Sequence, residues 1–426
     1  LFVSEGMNLS GVLPTPLLPA LTALEMLDLG RNQLSGLAPT LDHMSSLSEL
    51  WLNANQFRGS LPDWSRLTNL TFVRCDNNQF SGQLPSFSHQ QRLETLVLGF
   101  NRFAGTLPQF DLPHLQILNL QGNNITGSIP NFAALPALSD LILEDNCLSG
   151  SIPALRATRS LRHLLLGSNV LSGQLPEFEL PQLQILRVER NRLSGSLPSM
   201  AGVPRLQTLD CSFNSLRGDV PSYSWLRQLT TVRLQNNALT RVLLNSSSIL
   251  TIDFSNNDVA ATFDFLAGLP NVTIVNLAHN RFSSLPMSMP RAIELFNAMN
   301  CSIEGTLPPS WASLARLKTL NLRQNLLSGV LPRLLQVRQL DLSLNNFAGP
   351  ISTVLANNWR FSTNVVPASS SISLLDLSYN RFVLRPFSMV HARSFRLTGT
   401  LPAVLFASVF VTTALFLNVY SLNLAG

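Results

Sequence analysis

One asparagine recurs along almost the whole chain and limits what that chain can become. It stands at Asn32, Asn55, Asn78, Asn101, Asn123, Asn146, Asn169, Asn191, Asn214, Asn237, Asn257, Asn280, Asn325, Asn345 and Asn380, with Cys301 filling the slot once. Successive members lie 20 to 24 residues apart, and 35 apart at the last step. The surrounding pattern is fullest at residues 93–108, LETLVLGFNRFAGTLP, where Leu93, Leu96, Leu98, Asn101, Phe103, Gly105, Leu107 and Pro108 hold the fixed places. Apolar residues two apart, Leu96 and Leu98, predict a short strand that buries one face. The Asn101 carboxamide both donates and accepts, so it can bond backbone groups that a sharp turn would strand. Gly105 admits a conformation other residues resist, and Pro108 sets an extended, non-helical return. One such unit cannot bury its own leucines. It must stack on a neighbour.

This spacing resembles the leucine-rich repeat signature, which accepts Asn or Cys in the ladder slot. It predicts an α/β-type solenoid, a curved array of about 16 rungs that grows by addition rather than by new cores. Each repeat should place a short parallel strand on the concave face. Turns or 3-10 segments, such as residues 133–138 and 181–183, should run along the convex face. The organisation expected is a partial repeat or cap over residues 1–23, an array over 24–349, an inserted loop over 350–371, last repeats over 372–402 and a hydrophobic tail over 403–426. The rhythm falters at residues 241–248, RVLLNSSS, and at 284–290, SLPMSMP, where the Gly-x-x-Pro stop is missing or altered.

Composition narrows the function. With 45% hydrophobic and 12% charged residues, the chain has ample material for an apolar spine. The balance of +5 is spread along the length and carried by arginine, with Lys318 the only lysine, and no basic run marks a nucleic-acid partner. Two readings of that arginine stand: a compositional bias, or a surface suited to bidentate anion contacts. Cys75, Cys147, Cys211 and Cys301 are expected as free thiols, which leaves the redox compartment open. No leader is legible at the start. At the other end, residues 402–417, PAVLFASVFVTTALFL, are apolar enough for a lipid-anchor signal or short membrane span, a buried cap or a truncated repeat.

Between the inner leucines one column runs Trp51, Arg74, Val97, Asn119, Ile142, Leu165, Arg187, Asp210 and Arg233, and a second, two places on, includes Asp76, Glu144 and Glu189. Val97, Ile142 and Leu165 predict an apolar patch on the concave face, flanked by Trp51, Arg74, Arg187 and Arg233. That composition suits a binding hot spot for a protein or glycan ligand, or equally a strand-stabilising set of β-branched residues. Asp76 and Glu144 are expected as solvated rim charges. Glycosylation sequons occur at Asn8, Asn69, Asn124, Asn245, Asn271 and Asn300, none of them a ladder position. The six histidines are scattered, and no metal, cofactor, phosphate-loop or nucleophile-elbow motif occurs, so an enzyme is not expected.

The units LSGSLP, ITGSIP and LSGQLP, and the string GTLPPSW at residues 305–311, resemble two groups of repeat proteins. One is the plant-type leucine-rich repeat of receptor-like proteins and receptor kinases. The other is the leucine-rich surface antigens of trypanosomatids and related kinetoplastids, to which GTLPPSW is similar. The resemblance covers about residues 9–402. It implies display at the cell surface, with membrane attachment through the carboxy-terminal tail, and recognition or adhesion through the concave face. Its alternatives are the ectodomain of a signalling receptor and a structural coat protein without a specific ligand.

Overall fold

The computed structural model of the chain describes residues 1–13, 20–332, 334, 336–350, 374–383 and 397–398. The inserted loop expected over 350–371, beyond residue 350, and the tail at 403–426 lie outside the described residues. The chain is a parallel-strand solenoid of about 15 turns with almost no helix. It comprises two compact units, Leu1–Leu216 and Arg217–Gly426.

In the first unit, three-residue strands stand side by side, one per turn. They are Met26–Asp28, Glu49–Trp51, Phe72–Arg74, Thr95–Val97, Ile117–Asn119, Asp140–Ile142, His163–Leu165, Ile185–Arg187 and Thr208–Asp210. Each pairs in parallel with the next in unbroken register, for example Leu96 with Leu118 and Leu118 with Leu141. Phe2–Val3 pairs with Met26–Asp28, so the amino-terminal residues supply part of a turn. The middle residue of every strand is buried, and its two neighbours are half-exposed except for the buried Asp210. Burying one leucine contributes roughly 1.5–3 kcal/mol. Each turn adds such a leucine, a second two residues on (Leu98, Leu120, Leu143) and a third after the ladder side chain. That third line includes Phe57, Phe80 and Phe103, stacked at 6.1 and 6.3 Å between ring centroids.

The ladder side chains hold the turns. Nδ2 of Asn146 donates to the carbonyls of Leu143, Glu144 and Leu120, and its Oδ1 accepts the amide of Ile125 from the turn before. Asn55, Asn101, Asn169 and Asn280 repeat these four bonds. The residue before the ladder position is left-handed, as at Phe100 (φ 53°) and Asp145 (φ 55°). A non-glycine residue there costs about 1–2 kcal/mol, and the four bonds offset it.

A second parallel sheet, which the sequence pattern does not announce, follows the ladder. Its strands in the first unit include Gln33–Leu37, Gln56–Gly59, Gln79–Gly82, Arg102–Thr106 and Asn124–Thr126. The expected turns on the outer side therefore account for only part of it. The motif glycine sits within or at the end of these strands at positive φ, +87° at Gly105, and lets the chain bend there.

The second unit keeps the inner strands, from Thr231–Arg233 and Thr251–Asp253 through Thr319–Asn321 to Leu374–Asp376 and Leu397–Thr398. Its outer strands form both with and without the motif glycine. Where the glycine stop is present, Glu304–Thr306, Leu326–Gly329 and Asn346–Pro350 pair in parallel, and Arg381–Val383, which lacks the glycine, pairs onto the last of them. In the irregular stretch the outer strand Ala238–Val242 still pairs in parallel with Ser215–Val220, and beyond it the described residues carry only the bridge from Ser284 to Glu304. Short 3-10 turns at Phe263–Gly268 and Pro309–Ser313 fill that side, the latter burying Trp311, whose Nε1 donates to the Pro286 carbonyl at 3.1 Å.

Candidate functional site

Strand residues alternate faces, so the side chains that flank each buried leucine share the open face of the inner sheet. In the first unit the register sets Trp51, Arg74, Val97, Asn119, Ile142, Leu165, Arg187 and Asp210 in one row. Neighbouring strands stand about 4.8 Å apart. Ile142 and Leu165 are adjacent and half-exposed, but Asn119 separates them from Val97. The apolar patch is thus a pair of side chains with an outlier. Arg233 lies on Thr231–Arg233 of the second unit.

Two clusters border this row. In the first, Arg74 Nε donates to Asp76 Oδ1 at 2.7 Å while its guanidinium carbon stands 5.8 Å from the centre of the Trp51 ring. Trp51 stacks on Phe72, with centroids 4.2 Å apart and planes at 23°. Asp76 is not a solvated rim charge. It is only 6% exposed, and it also accepts from Asn77 Nδ2 at 2.6 Å. Residues two apart on one strand share a face, which brings Arg74 onto Asp76.

The second cluster is Glu144, Arg187 and Glu189. A Cβ built on Gly167 would stand 2.7 Å from the Glu189 carboxyl carbon, so that carboxylate lies over the glycine of the preceding turn. Burial raises the pKa of Glu189, with Asp210 and Glu144 adding to the rise and Arg187 opposing it. Burial likewise raises Glu144, against the pull of Arg187. Glu144 is half-buried, which corrects its expected place as a solvated charge. The Nε of Arg187 and the Oε2 of Glu189 are both buried without a hydrogen-bond partner. Polar atoms in that condition carry a desolvation penalty that an incoming donor or acceptor would relieve.

A third column, on the other side of the leucines, escaped the sequence reading. It carries Glu49, Phe72, Asp140 and His163. Asp140 bonds both the His163 ring nitrogen Nδ1 and the Ser139 hydroxyl. The carboxylate sits between hydroxyl and imidazole, so His163 cannot take a proton from Ser139 and the trio is not a hydrolytic triad. Strict alternation along each strand was the signal that would have found this column.

The four cysteines are free. Burial pushes the Cys75 and Cys211 thiols far above the ordinary range and Cys301 up to about 11, so these three are not nucleophiles. Among the described residues no group of His, Cys, Asp or Glu side chains could hold a metal ion, and no helix is long and apolar enough to cross a membrane.

Of the sequons, Asn69 donates to the Ser45 carbonyl, Asn271 to the Ser247 carbonyl, and Asn300 bonds the His279 ring. Asn8 accepts from Gln33 and Asn124 from the Cys147 thiol. The Asn245 carboxamide has no hydrogen-bond partner among the described residues.

A Leucine Rich Repeat family model matches residues 114–134 and 316–337. No curated protein matches the chain. Among solved structures, the plant peptide hormone receptor RGFR1 in complex with RGF2 is 24% identical with a TM-score of 0.73, covering 96% of this chain and 78% of that one. PEPR1 with AtPEP1 is 25% identical with a TM-score of 0.73, over 96% of this chain but only 64% of that one. The Arabidopsis receptor kinase HAESA ectodomain with an IDA peptide hormone is 25% identical with a TM-score of 0.75, over 95% and 69%. The resemblance to kinetoplastid surface antigens receives no support from these matches. The chain carries leucine-rich repeats in a parallel-strand array and is similar in structure to plant receptor ectodomains.

Proposed function

We propose that the chain is an extracellular ligand-binding array that receives an extended peptide along the inner strand face of its first unit. One observation carries this reading. Ile142 and Leu165 form an apolar step, and beside it Arg187 Nε and Glu189 Oε2 are buried without partners. An apolar anchor next to unpaired, partly desolvated polar atoms is the composition of a binding hot spot. The Trp51–Phe72 stack with Arg74 supplies a second anchor three turns away. The structures of RGFR1, a plant peptide hormone receptor in complex with RGF2, and of the HAESA ectodomain in complex with a peptide hormone ligand support the same ligand class.

The receptor-ectodomain reading is favoured by those matches over adhesion or a structural coat. Glycan recognition rests on the half-exposed Trp51 alone, and membrane attachment rests on the apolar composition of residues 402–417.

A displayed library of random linear peptides is the test. Selection on the full chain should enrich clones that lose affinity about tenfold or more on Ile142→Arg or Arg187→Ala, at an unchanged melting temperature. Clones that bind the parent, both variants and a Trp51, Arg74, Arg187 triple alanine variant equally would defeat the reading.

A further inference from the structure

The irregular part of the second unit holds a cavity that the repeat itself creates. The interval from Asn237 to Asn257 is 20 residues and lacks the Gly-x-x-Pro stop, so the segment between the outer strand Ala238–Val242 and the inner strand Thr251–Asp253 is short. An open cavity of about 540 Å³ results, with Ser224, Arg227, Asn245, Ser247, Gly268 and Pro270 among the residues that line it. A small-ligand pocket typically measures about 300–1,000 Å³. Its walls combine serine hydroxyls, one guanidinium and one carboxamide with Ala267, Gly268 and Pro270, and the lining holds no carboxylate. Trp225, 43% exposed, lies on the same turn as Ser224 and Arg227.

Asn245 is placed differently from the other sequon asparagines. It is exposed at the cavity, and its carboxamide is unpartnered among the described residues. Its loop is nevertheless held. Ser246 and Ser248 hydroxyls stand 2.9 Å apart, and Ser248 Oγ donates to the Leu229 carbonyl at 2.9 Å. Gly268 allows the close approach, since a Cβ there would come within 3.0 Å of Asn245 Cα and Oδ1. Asn245, Ser246 and Ser247 form the acceptor triplet.

We propose that Asn245 is an N-glycosylation site whose first sugar residue is seated in this cavity. The inference rests on the extracellular reading above. In the transfer, Asn245 Nδ2 bonds to the anomeric carbon of an oligosaccharide carried on a polyprenyl pyrophosphate. The bond from that carbon to the pyrophosphate oxygen breaks, and the amide proton leaves with the pyrophosphate. The seated sugar presents hydroxyl and acetamido groups, which match the serine hydroxyls and the Arg227 guanidinium. Its apolar ring face suits an exposed indole.

The test is to secrete the full chain from a eukaryotic host and map each sequon by peptide mass spectrometry after N-glycosidase treatment in heavy-oxygen water. The same treatment is then timed on the native protein. Asn245 should be occupied, and its glycan should be released at least several-fold more slowly than a glycan at Asn8 or Asn124, the difference vanishing after denaturation. Occupancy at Asn8 or Asn124 with Asn245 unmodified would overturn the proposal alone. Release from native Asn245 as fast as from the other sites would overturn the seating. A secreted chain with every sequon bare would overturn the proposal, and retention of the chain inside the cell would remove the extracellular reading with it.

Discussion

The side-chain oxygen of Asn325 accepts two amides, those of Cys301 and Ile303, at 3.0 Å each. Other ladder asparagines, such as Asn146, accept one. The difference traces to Cys301, which occupies the ladder slot of the turn before. Its thiol donates to the Leu277 and Met299 carbonyls but offers no strong acceptor to the Phe282 amide, which stands where Ile125 stands against Asn146. Cys301→Asn restores the four-bond set. It should stabilise the chain by about 1 kcal/mol, since a net hydrogen bond is worth about that, and raise the thermal midpoint. A lowered midpoint would show that the slot has been reshaped around sulfur.

Asn146→Ala acts in the opposite direction. It leaves the amide of Ile125 unpaired and takes one donor from each of the Leu120, Leu143 and Glu144 carbonyls, which keep Asn123, Asn169 and the Gly122 amide, in a turn whose preceding residue, Asp145, is already left-handed. Leaving buried groups unpaired costs about 1–3 kcal/mol, read as a shift in the urea midpoint at constant slope. A midpoint equal to that of the parent would remove the ladder from the account of stability.

The motif glycines separate backbone strain from crowding. Gly82 (φ +84°) has only the Ser60 Cβ within 4 Å of an added Cβ, at 3.6 Å, whereas Gly127 (φ +78°) would meet Thr106 Cγ2 at 2.8 Å. Gly82→Ala should therefore cost about 1–3 kcal/mol from strain alone, and Gly127→Ala more. Calorimetry of both variants decides it. Equal losses would mean that Thr106 yields freely.

The ladder and the inner strands were legible because the asparagine period writes both the turn and the leucines that stack on it. The second sheet was not. In a stretch such as Gln33–Leu37 only Leu34 is buried, so no apolar alternation marks a strand, and Gly36 reads as a turn. At the site, the pairing of Arg74 with Asp76 follows from their spacing and could have been inferred, as could the column holding Asp140 and His163. The position of Glu189 could not be read from its own turn. It depends on a missing Cβ one turn earlier, at Gly167, which lets a carboxylate lie down across the sheet toward Glu144.

That carboxylate has a pH signature of defined sign. Burial raises the Glu189 pKa above its ordinary value of 4.5, with Asp210 and Glu144 reinforcing the shift. A raised carboxyl pKa means that the folded state holds its proton more tightly than the unfolded state. The associated stability is fully present below pH 4.5 and is lost as pH rises through the folded value. Glu144 and Asp341 are raised by burial too and share that sign. Glu189→Gln keeps the shape and removes the charge, so it should be more stable than the parent near neutral pH. The gap should close as pH falls below the ordinary glutamate value. Thermal midpoints of both proteins across this range measure it. A variant less stable than the parent at neutral pH would show that attraction to Arg187, and not burial, governs the group.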